Sequence, residues 1–147
     1  MKYKNISLLL ADDDIDDCNF FKEALDEISL PTRLTVVNNG DQLMSLLTKP
    51  ENLYHILFLD LNMPRKNGYE CLSEIKLNKN LKQLHVIIFS TSIENDIVNL
   101  IYEKRAQYYI RKPSEFSQLK KVIQQALTLL THENISQPSR ENFVITT

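Results

Sequence analysis

The sequence predicts an α/β fold in which helices cover both faces of a doubly wound, five-stranded parallel sheet. Three observations predict it: five short apolar runs, five amphipathic stretches that alternate with them, and polar residues where the apolar runs end. Strands that alternate with helices are typical of a parallel sheet flanked by crossover helices. Because such crossovers are right-handed, the doubly wound arrangement is the simplest one.

The strands are predicted from runs rich in Ile, Leu, Val and Phe. The first, third and fourth runs are almost continuously apolar, as expected where both faces of a sheet are covered. The predicted strands span residues 6–11, 33–37, 55–59, 85–89 and 107–110.

The helices are predicted from apolar residues that recur every three or four positions. The stripes span residues 15–28, 43–47, 72–75, 93–101 and 116–130. Pro50 follows the second stripe, and Pro113 and Ser114 precede the fifth. Thr91 and Glu94 have the spacing of a capping box, which would begin the fourth helix.

The length and the change in composition after the fifth helix set the expected domain organisation. The chain has 147 residues, which fits one domain, predicted here over residues 1–130. Residues 131–147 read THENISQPSRENFVITT and are predicted to form a mostly disordered tail. Within this tail, residues 143–145 could dock on the domain.

The composition excludes several classes of function. A net charge of -2 and a pI of about 5.9 give no reason to expect nucleic acid or an anionic membrane as a partner. No apolar stretch is long enough to span a bilayer. Cys18 and Cys71 stand alone, without a CxxC spacing, which predicts free thiols and a cytoplasmic location.

Polar residues follow four of the predicted strands at the point where each strand ends. They are Asp12 and Asp13 after the first strand, Asp60 after the third, Ser90 after the fourth and, one residue on, Lys112 after the fifth. Ligands of open α/β sheets bind beyond the carboxyl ends of the strands. We therefore expect these five side chains to converge on one edge of the sheet.

The expected chemistry of this edge follows from its charges. Carboxylates that lie close together cannot all stay ionised without a counterion, and their oxygens suit Mg²⁺. A divalent metal, the Lys112 ammonium and the Ser90 hydroxyl around one carboxylate would hold a phosphoryl group. Asp60 is then the candidate nucleophile, which would form an aspartyl phosphate. Asp14, Asp16 and Asp17 are expected only to cap or stabilise the start of the first helix.

The acidic run also resembles two other kinds of site. Asp12, Asp14 and Asp16 nearly match a calcium-binding loop, but Asp17 stands where that loop needs glycine, and the loop would overlap the first predicted helix. A strand followed by Asp-x-Asp also resembles the first motif of haloacid-dehalogenase-like phosphohydrolases, with Asp12 as nucleophile and Asp14 as acid and base. Asp16 stands where that family has Thr or Val, and DLNMPRKNG stays unexplained.

Together, the acidic pair, DLNMPRKNG around Asp60, the hydroxyl residue after the fourth strand and KP after the fifth resemble the receiver domain of bacterial two-component response regulators. The similarity covers about residues 5–130. It implies the flavodoxin-like, chemotaxis-receiver-like fold with strand order 2-1-3-4-5 and five helices. SIENDI and KRAQYYIRKP further resemble single-domain regulators associated with phytochrome kinases and hybrid kinases.

The resemblance implies a role for each residue of the site. Asp60 would accept phosphate from a sensor histidine kinase or a hybrid kinase. Asp12, Asp13, Asp60 and the backbone carbonyl of Asn62 would bind Mg²⁺, and Ser90 and Lys112 would contact the phosphoryl oxygens. Ser90 and Tyr109 would form the family's switch, although a tyrosine packed on an edge strand is an equal alternative for Tyr109.

The switch would alter the face formed by the fourth helix, fifth strand and fifth helix, which could also form a homodimer. We therefore expect a stand-alone receiver, not an enzyme beyond its own phosphorylation and dephosphorylation, that contacts a downstream target or phosphotransfer protein. The alternatives left open are the phosphohydrolase and a degenerate receiver that binds partners without phosphate.

Two details of the resemblance concern the backbone. The family usually has Gly-Ala where this chain has Arg105-Ala106. If that turn needs a positive φ, arginine costs about 1 kcal/mol relative to glycine. The Lys112-Pro113 bond matches a position at which the family has a cis peptide.

Overall fold

A six-stranded, wholly parallel sheet lies at the centre of the molecule, in a computed structural model that describes residues 5–51, 53–132 and 136–146. The strands are β1 (Ile6–Ala11), β2 (Thr32–Val37), β3 (Ile56–Leu59), β4 (His85–Ser90), β5 (Tyr108–Arg111) and β6 (Val144–Ile145). Their order is β2-β1-β3-β4-β5-β6. The predicted five-stranded sheet and its order are confirmed, and one short strand extends it beyond β5.

Five α-helices connect the strands, as predicted. They are α1 (Ile15–Asp26), α2 (Gly40–Leu47), α3 (Gly68–Leu77), α4 (Asn95–Glu103) and α5 (Phe116–His132). Two short 3-10 turns span Lys79–Leu81 and Arg140–Asn142. No helix among the described residues is both long and apolar enough to cross a bilayer.

Both faces of the sheet are covered, so consecutive side chains of a strand enter different cores. In β1, Leu8 and Leu10 belong to the core beneath α1 and α5. Leu9 and Ala11 belong to the core beneath α2, α3 and α4. All four are fully buried. The continuous apolar run in the sequence therefore reflects two cores, one on each face of the strand.

The helix starts agree only partly with the sequence signals. The Asp14 side chain accepts a hydrogen bond from the Asp17 N–H and caps α1, as predicted. The capping box predicted from Thr91 and Glu94 is wrong, because α4 begins at Asn95 and places Glu94 itself at the N-cap, without a side-chain hydrogen bond. The capping box that does form, by Asn67 and Glu70, begins α3.

The loop between β3 and α3 is held against the sheet by a glycine. A Cβ on Gly68 would lie 2.3 Å from the Asp60 carbonyl oxygen, and the Gly68 N–H donates to Leu61 O at 3.0 Å. Only a residue without a side chain fits this approach. Gly68 thus fixes the backbone on which Asp60 sits.

The turn between α4 and β5 has the positive φ that was considered for Arg105 in the sequence analysis. Arg105 adopts a φ of 71°, in the left-handed region that favours glycine. No peptide bond between the described residues is cis, so the cis Lys112-Pro113 bond suggested by the family is not present. The trans form is the lower in energy for most X-Pro bonds.

The end of the chain differs from the predicted disordered tail. Residues 136–146 lie on the domain, and Val144–Ile145 pair with β5 as β6. The reason is apolar burial: Phe143 is fully buried, and Ile145 is nearly so. Residues 133–135 and 147 of the predicted tail lie outside the described residues.

Candidate functional site

Three aspartates meet where β1 and β3 end. Asp12 is fully buried and Asp60 is 6% exposed, whereas Asp13 is exposed. The backbone fixes them: the Asp12 N–H donates to Val37 O and the Asp60 N–H to Ala11 O, each at 3.0 Å. One carboxylate oxygen from each aspartate lies within 4.8 Å of the others. The predicted convergence of the acidic pair with Asp60 is therefore what the structure shows.

Lys112 enters the same cluster from the end of β5. Its backbone N–H donates to Ser90 O at 2.8 Å, and its ammonium lies 5.6 Å from the centre of the Phe89 ring. Its Nζ lies 2.8 Å from Asp12 Oδ2, 2.9 Å from Asp17 Oδ2 and 3.5 Å from Asp60 Oδ2. One ammonium thus neutralises part of the charge of several carboxylates.

The pKa values of the two central groups reflect this crowding. Burial, reinforced by the charge of Asp12, raises the pKa of Asp60 from 3.8 to about 6, against the opposing effects of Lys112 and the Asn62 N–H. Burial disfavours the charged form of Lys112, but the close contacts of its ammonium with the carboxylates of Asp12 and Asp17 and the charge of Asp60 outweigh it and raise the pKa of Lys112 above its usual range. At neutral pH the site therefore holds an ammonium beside the Asp60 carboxylate, whose ionised form burial disfavours.

The donor set fits a hard divalent cation. Asp12 Oδ2 makes no hydrogen bond within the described residues, so its short contact with Lys112 is an ion pair without hydrogen-bond geometry. A fully buried carboxylate oxygen without a hydrogen bond is costly unless a positive charge serves it. The clustered ligands are all oxygens, which Mg²⁺ prefers. Asn62 follows Asp60 on the loop, and its N–H donates to Asp60 Oδ1 at 3.3 Å.

Ser90 and Tyr109 connect the site to the body of the domain. Ser90 ends β4 and is fully buried, and its Oγ accepts a hydrogen bond from the Ser92 N–H at 3.3 Å. Tyr109 is also fully buried, and its hydroxyl donates to Ser92 O at 2.7 Å. Tyr109 does not lie on an edge strand, because β6 pairs with β5 on its outer side.

Asp17 is the residue of this cluster that sequence reasoning missed. It was expected only to stabilise the start of α1, but its carboxylate also binds Lys112 at 2.9 Å. Its position in the first turn of α1, five residues after Asp12, was the available signal. The partner could not be identified from the sequence, because Lys112 lies 95 residues further along the chain.

The geometry does not favour the two other interpretations of the acidic run. Asp14 is exposed and its carboxylate caps α1, so it does not serve as an acid and base beside Asp12. The calcium-loop interpretation is wrong, because β1 precedes the acidic run and α1 already begins at Ile15.

Comparison with known proteins identifies the family. The family model of the response regulator receiver domain matches residues 8–124. The response regulator Rcp1 of Synechocystis sp. is 30% identical over 122 residues, which are 80% of this chain and 83% of Rcp1.

Solved structures of response regulators are similar to this chain in both sequence and fold. The phosphorylated cyanobacterial phytochrome response regulator RcpA is 27% identical, with a TM-score of 0.81, over 91% of this chain and 99% of RcpA. The Mn²⁺-bound form of Rcp1 is 28% identical, with a TM-score of 0.77, over 91% of this chain and 99% of that one. With its carboxylates, lysine and buried hydroxyl gathered at the end of a parallel sheet, this chain belongs to the response regulator receiver domain family.

Proposed function

We propose that this protein is a response regulator that accepts a phosphoryl group on Asp60 from a histidine kinase. One observation carries the proposal: Lys112 Nζ lies 3.5 Å from Asp60 Oδ2, at an edge where Asp12 and Asp13 add two further carboxylates. A carboxylate beside a cationic group is equipped to take up an anionic phosphoryl group. Asp60 is a better-placed acceptor than Asp12, because Asp12 is fully buried and held by Lys112 at 2.8 Å, whereas Asp60 is 6% exposed and lies 3.5 Å from Lys112.

The transfer requires little from the protein beyond positioning and charge. An Asp60 carboxylate oxygen attacks the phosphorus of a phosphohistidine and forms a P–O bond. The P–N bond breaks, and the imidazole nitrogen keeps its electron pair and takes a proton from solvent. Lys112 and the hydroxyl of Ser90 would contact the phosphoryl oxygens. Hydrolysis of the acyl phosphate by water returns Asp60 to its free form.

Receiver domains bind Mg²⁺ at an acidic site, and the residues present here fit that ion. Asp12, Asp13, Asp60 and the backbone carbonyl of Asn62 are the proposed ligands. When bound, the ion supplies positive charge for the phosphoryl oxygens and offsets the repulsion among the carboxylates. The gathering of one carboxylate oxygen from each of Asp12, Asp13 and Asp60 within 4.8 Å supports this assignment.

Receiver domains act between a phosphodonor kinase and a downstream partner. We propose a sensor or hybrid kinase as donor and a target protein or phosphotransfer protein as receiver of the signal, with no direct contact to nucleic acid or membrane. The curated relative Rcp1 and the solved RcpA chain are matched over 83% and 99% of their lengths, which supports a stand-alone receiver over residues 1–130. Beyond its own phosphorylation and dephosphorylation it would catalyse no reaction.

Two further proposals concern assembly and location. A homodimer would use the face formed by α4, β5 and α5, where residues 136–146 also lie. A cytoplasmic location is supported by the two cysteines, Cys18 and Cys71, which are buried and free, as in proteins of reducing compartments.

The proposal is tested with acetyl phosphate and Mg²⁺, with intact mass as the measurement. We expect the wild-type chain to gain one phosphoryl group and Asp60→Asn to gain none. Asp14→Asn is the matched control, because it removes an aspartate of the same run that only caps α1; it should still be phosphorylated.

Other outcomes would favour the alternatives. Turnover of a chromogenic phosphate ester that is lost in Asp12→Asn would indicate a phosphohydrolase. A chain that neither gains a phosphoryl group nor hydrolyses the ester would be a degenerate receiver.

A further inference from the structure

Residues 136–146, the C-terminal segment, occupy the outer edge of β5. Val144 pairs with Tyr109 and Ile145 with Ile110 in parallel register. The Tyr109 N–H donates to Phe143 O at 3.1 Å. An open strand edge readily accepts another strand, and in this chain its own end fills that position.

Specific contacts bind the segment at several positions between Gln137 and Ile145. Phe143 is fully buried, with its ring centre 5.0 Å from that of Tyr102 and 6.3 Å from that of Tyr109. Gln137 Nε2 donates to Tyr102 O in the last turn of α4 at 2.7 Å and to Ala106 O in the loop before β5 at 2.9 Å. The Tyr102 hydroxyl donates to Pro138 O at 2.8 Å. This is a built docking site and not a loose chain end.

A short chain of contacts joins the segment to the phosphoryl site. Phe143 packs against Tyr109, the Tyr109 hydroxyl donates to Ser92 O at 2.7 Å, and the Ser92 N–H donates to Ser90 Oγ at 3.3 Å. The β5 backbone is a second connection, since the Lys112 N–H also binds Ser90 O. Ile145 and Thr146 additionally line a cleft of about 450 Å³ together with Lys112.

We propose that the β5 edge is a strand-binding surface whose occupant is the C-terminal segment, and that docking of this segment promotes phosphorylation of Asp60. The inference rests on the proposed function. Docked, Phe143 keeps Tyr109 buried and bonded to Ser92 O. The bond to Ser92 O keeps the Ser92 N–H in hydrogen-bond contact with Ser90 Oγ. Ser90 then accepts with a lone pair, and its hydroxyl proton stays available for a phosphoryl oxygen. Phe143 is thus a positioning residue that acts through Tyr109.

The sign of the effect follows from linkage. If the docked state prepares Ser90 as a donor, the phosphorylated state must bind the segment more tightly by the same factor. Couplings of this kind commonly amount to about fivefold to about a hundredfold in affinity. A partner strand that used the β5 edge would compete with the segment and oppose phosphorylation.

The first measurement uses the wild-type chain and needs no variant. Amide hydrogen exchange is followed by NMR with Mg²⁺, with and without beryllofluoride, which stands in for the phosphoryl group. The Tyr109 amide reports docking, because its acceptor is Phe143 O. We expect its exchange to slow by about fivefold or more, while the Ile6 amide, which binds Pro31 O at the far end of the sheet, stays unchanged.

The second measurement is the affinity for beryllofluoride. Phe143→Ala should weaken it by about fivefold or more. The variant Asn142→Ala removes an exposed side chain whose amide donates to Ser139 Oγ within the segment, and it should leave the affinity unchanged. In a Tyr109→Phe background, which lacks the hydrogen bond to Ser92 O, Phe143→Ala should have little further effect.

The outcomes separate the two proposals. Faster exchange of Tyr109 with beryllofluoride, unchanged exchange, or equal affinity of wild type and Phe143→Ala would overturn the coupling while the function stands. Absence of any spectral change with beryllofluoride in the wild-type chain would overturn the proposed function, and the coupling with it.

Discussion

At the scale of the residue, the decisive property is the charge of Asp60. Its carboxylate is 6% exposed and lies near Asp12, and this raises its pKa to about 6. Lys112 provides compensation, but it divides its charge among three carboxylates. Asp60 is therefore less well solvated than an ordinary surface aspartate, and a phosphoryl group or a metal would relieve that cost.

The free-energy cost of burying the ionised Asp60 carboxylate should be measurable in the free energy of unfolding. Between about pH 4 and about pH 6, Asp60 is protonated in the folded protein and ionised in the unfolded chain. The free energy of unfolding therefore falls as pH rises through that window. We expect Asp60→Asn, in metal-free buffer, to raise the free energy of unfolding by ~1–3 kcal/mol near pH 7.5. The gain should vanish near pH 4, and urea denaturation at both pH values measures it.

Glu74→Gln provides the control for that experiment, because its carboxylate forms an exposed pair with Lys66 on the surface of α3. Its effect at neutral pH should stay below about 1 kcal/mol. A stabilisation by Asp60→Asn that is equal at both pH values would show that the ionisation of Asp60 is not the cause.

At the scale of the element, the strands were predictable and several helix starts were not. An apolar run ends where its strand leaves the sheet, because both faces of the sheet are covered by helices. Asp12, Asp60 and Ser90 could therefore be placed at strand ends. The predicted start of α4 was wrong, because a capping signal is only a few residues long and the spacing of Thr91 and Glu94 matches one by chance. The strand β6 has only two residues, which is too short for a periodic signal.

The turn that follows α4 allows a direct test. Arg105 has a φ of 71°, a conformation that costs a residue with a Cβ about 1 kcal/mol or more. We expect Arg105→Gly to be more stable than Arg105→Ala by about 1 kcal/mol, as measured by urea denaturation. The alanine variant is the matched control, because it removes the same side chain and keeps the Cβ. An alanine variant as stable as the glycine variant would mean that the turn carries no such strain.

At the scale of the whole molecule, the parallel sheet turns distant sequence positions into one site. Residues 12 and 112 are far apart in sequence, yet their charged atoms lie 2.8 Å apart because their strands end at the same edge. This convergence was predictable from the topology. The sequence raised the possibility that residues 143–145 dock on the domain, but the place of docking was not predictable, because it depends on the shape of the surface around Tyr102 and Tyr109, into which Phe143 fits.

The position of the acyl phosphate tests the role of Asp60 most directly. The chain is treated with acetyl phosphate and Mg²⁺, reduced with borohydride, which converts a phosphorylated aspartate to homoserine, and mapped by peptide mass spectrometry. We expect homoserine at position 60 and not at positions 12 or 13, and none when the divalent metal is removed. Homoserine at position 12, or none at any aspartate, would contradict the central claim that this cluster prepares Asp60 to accept phosphate.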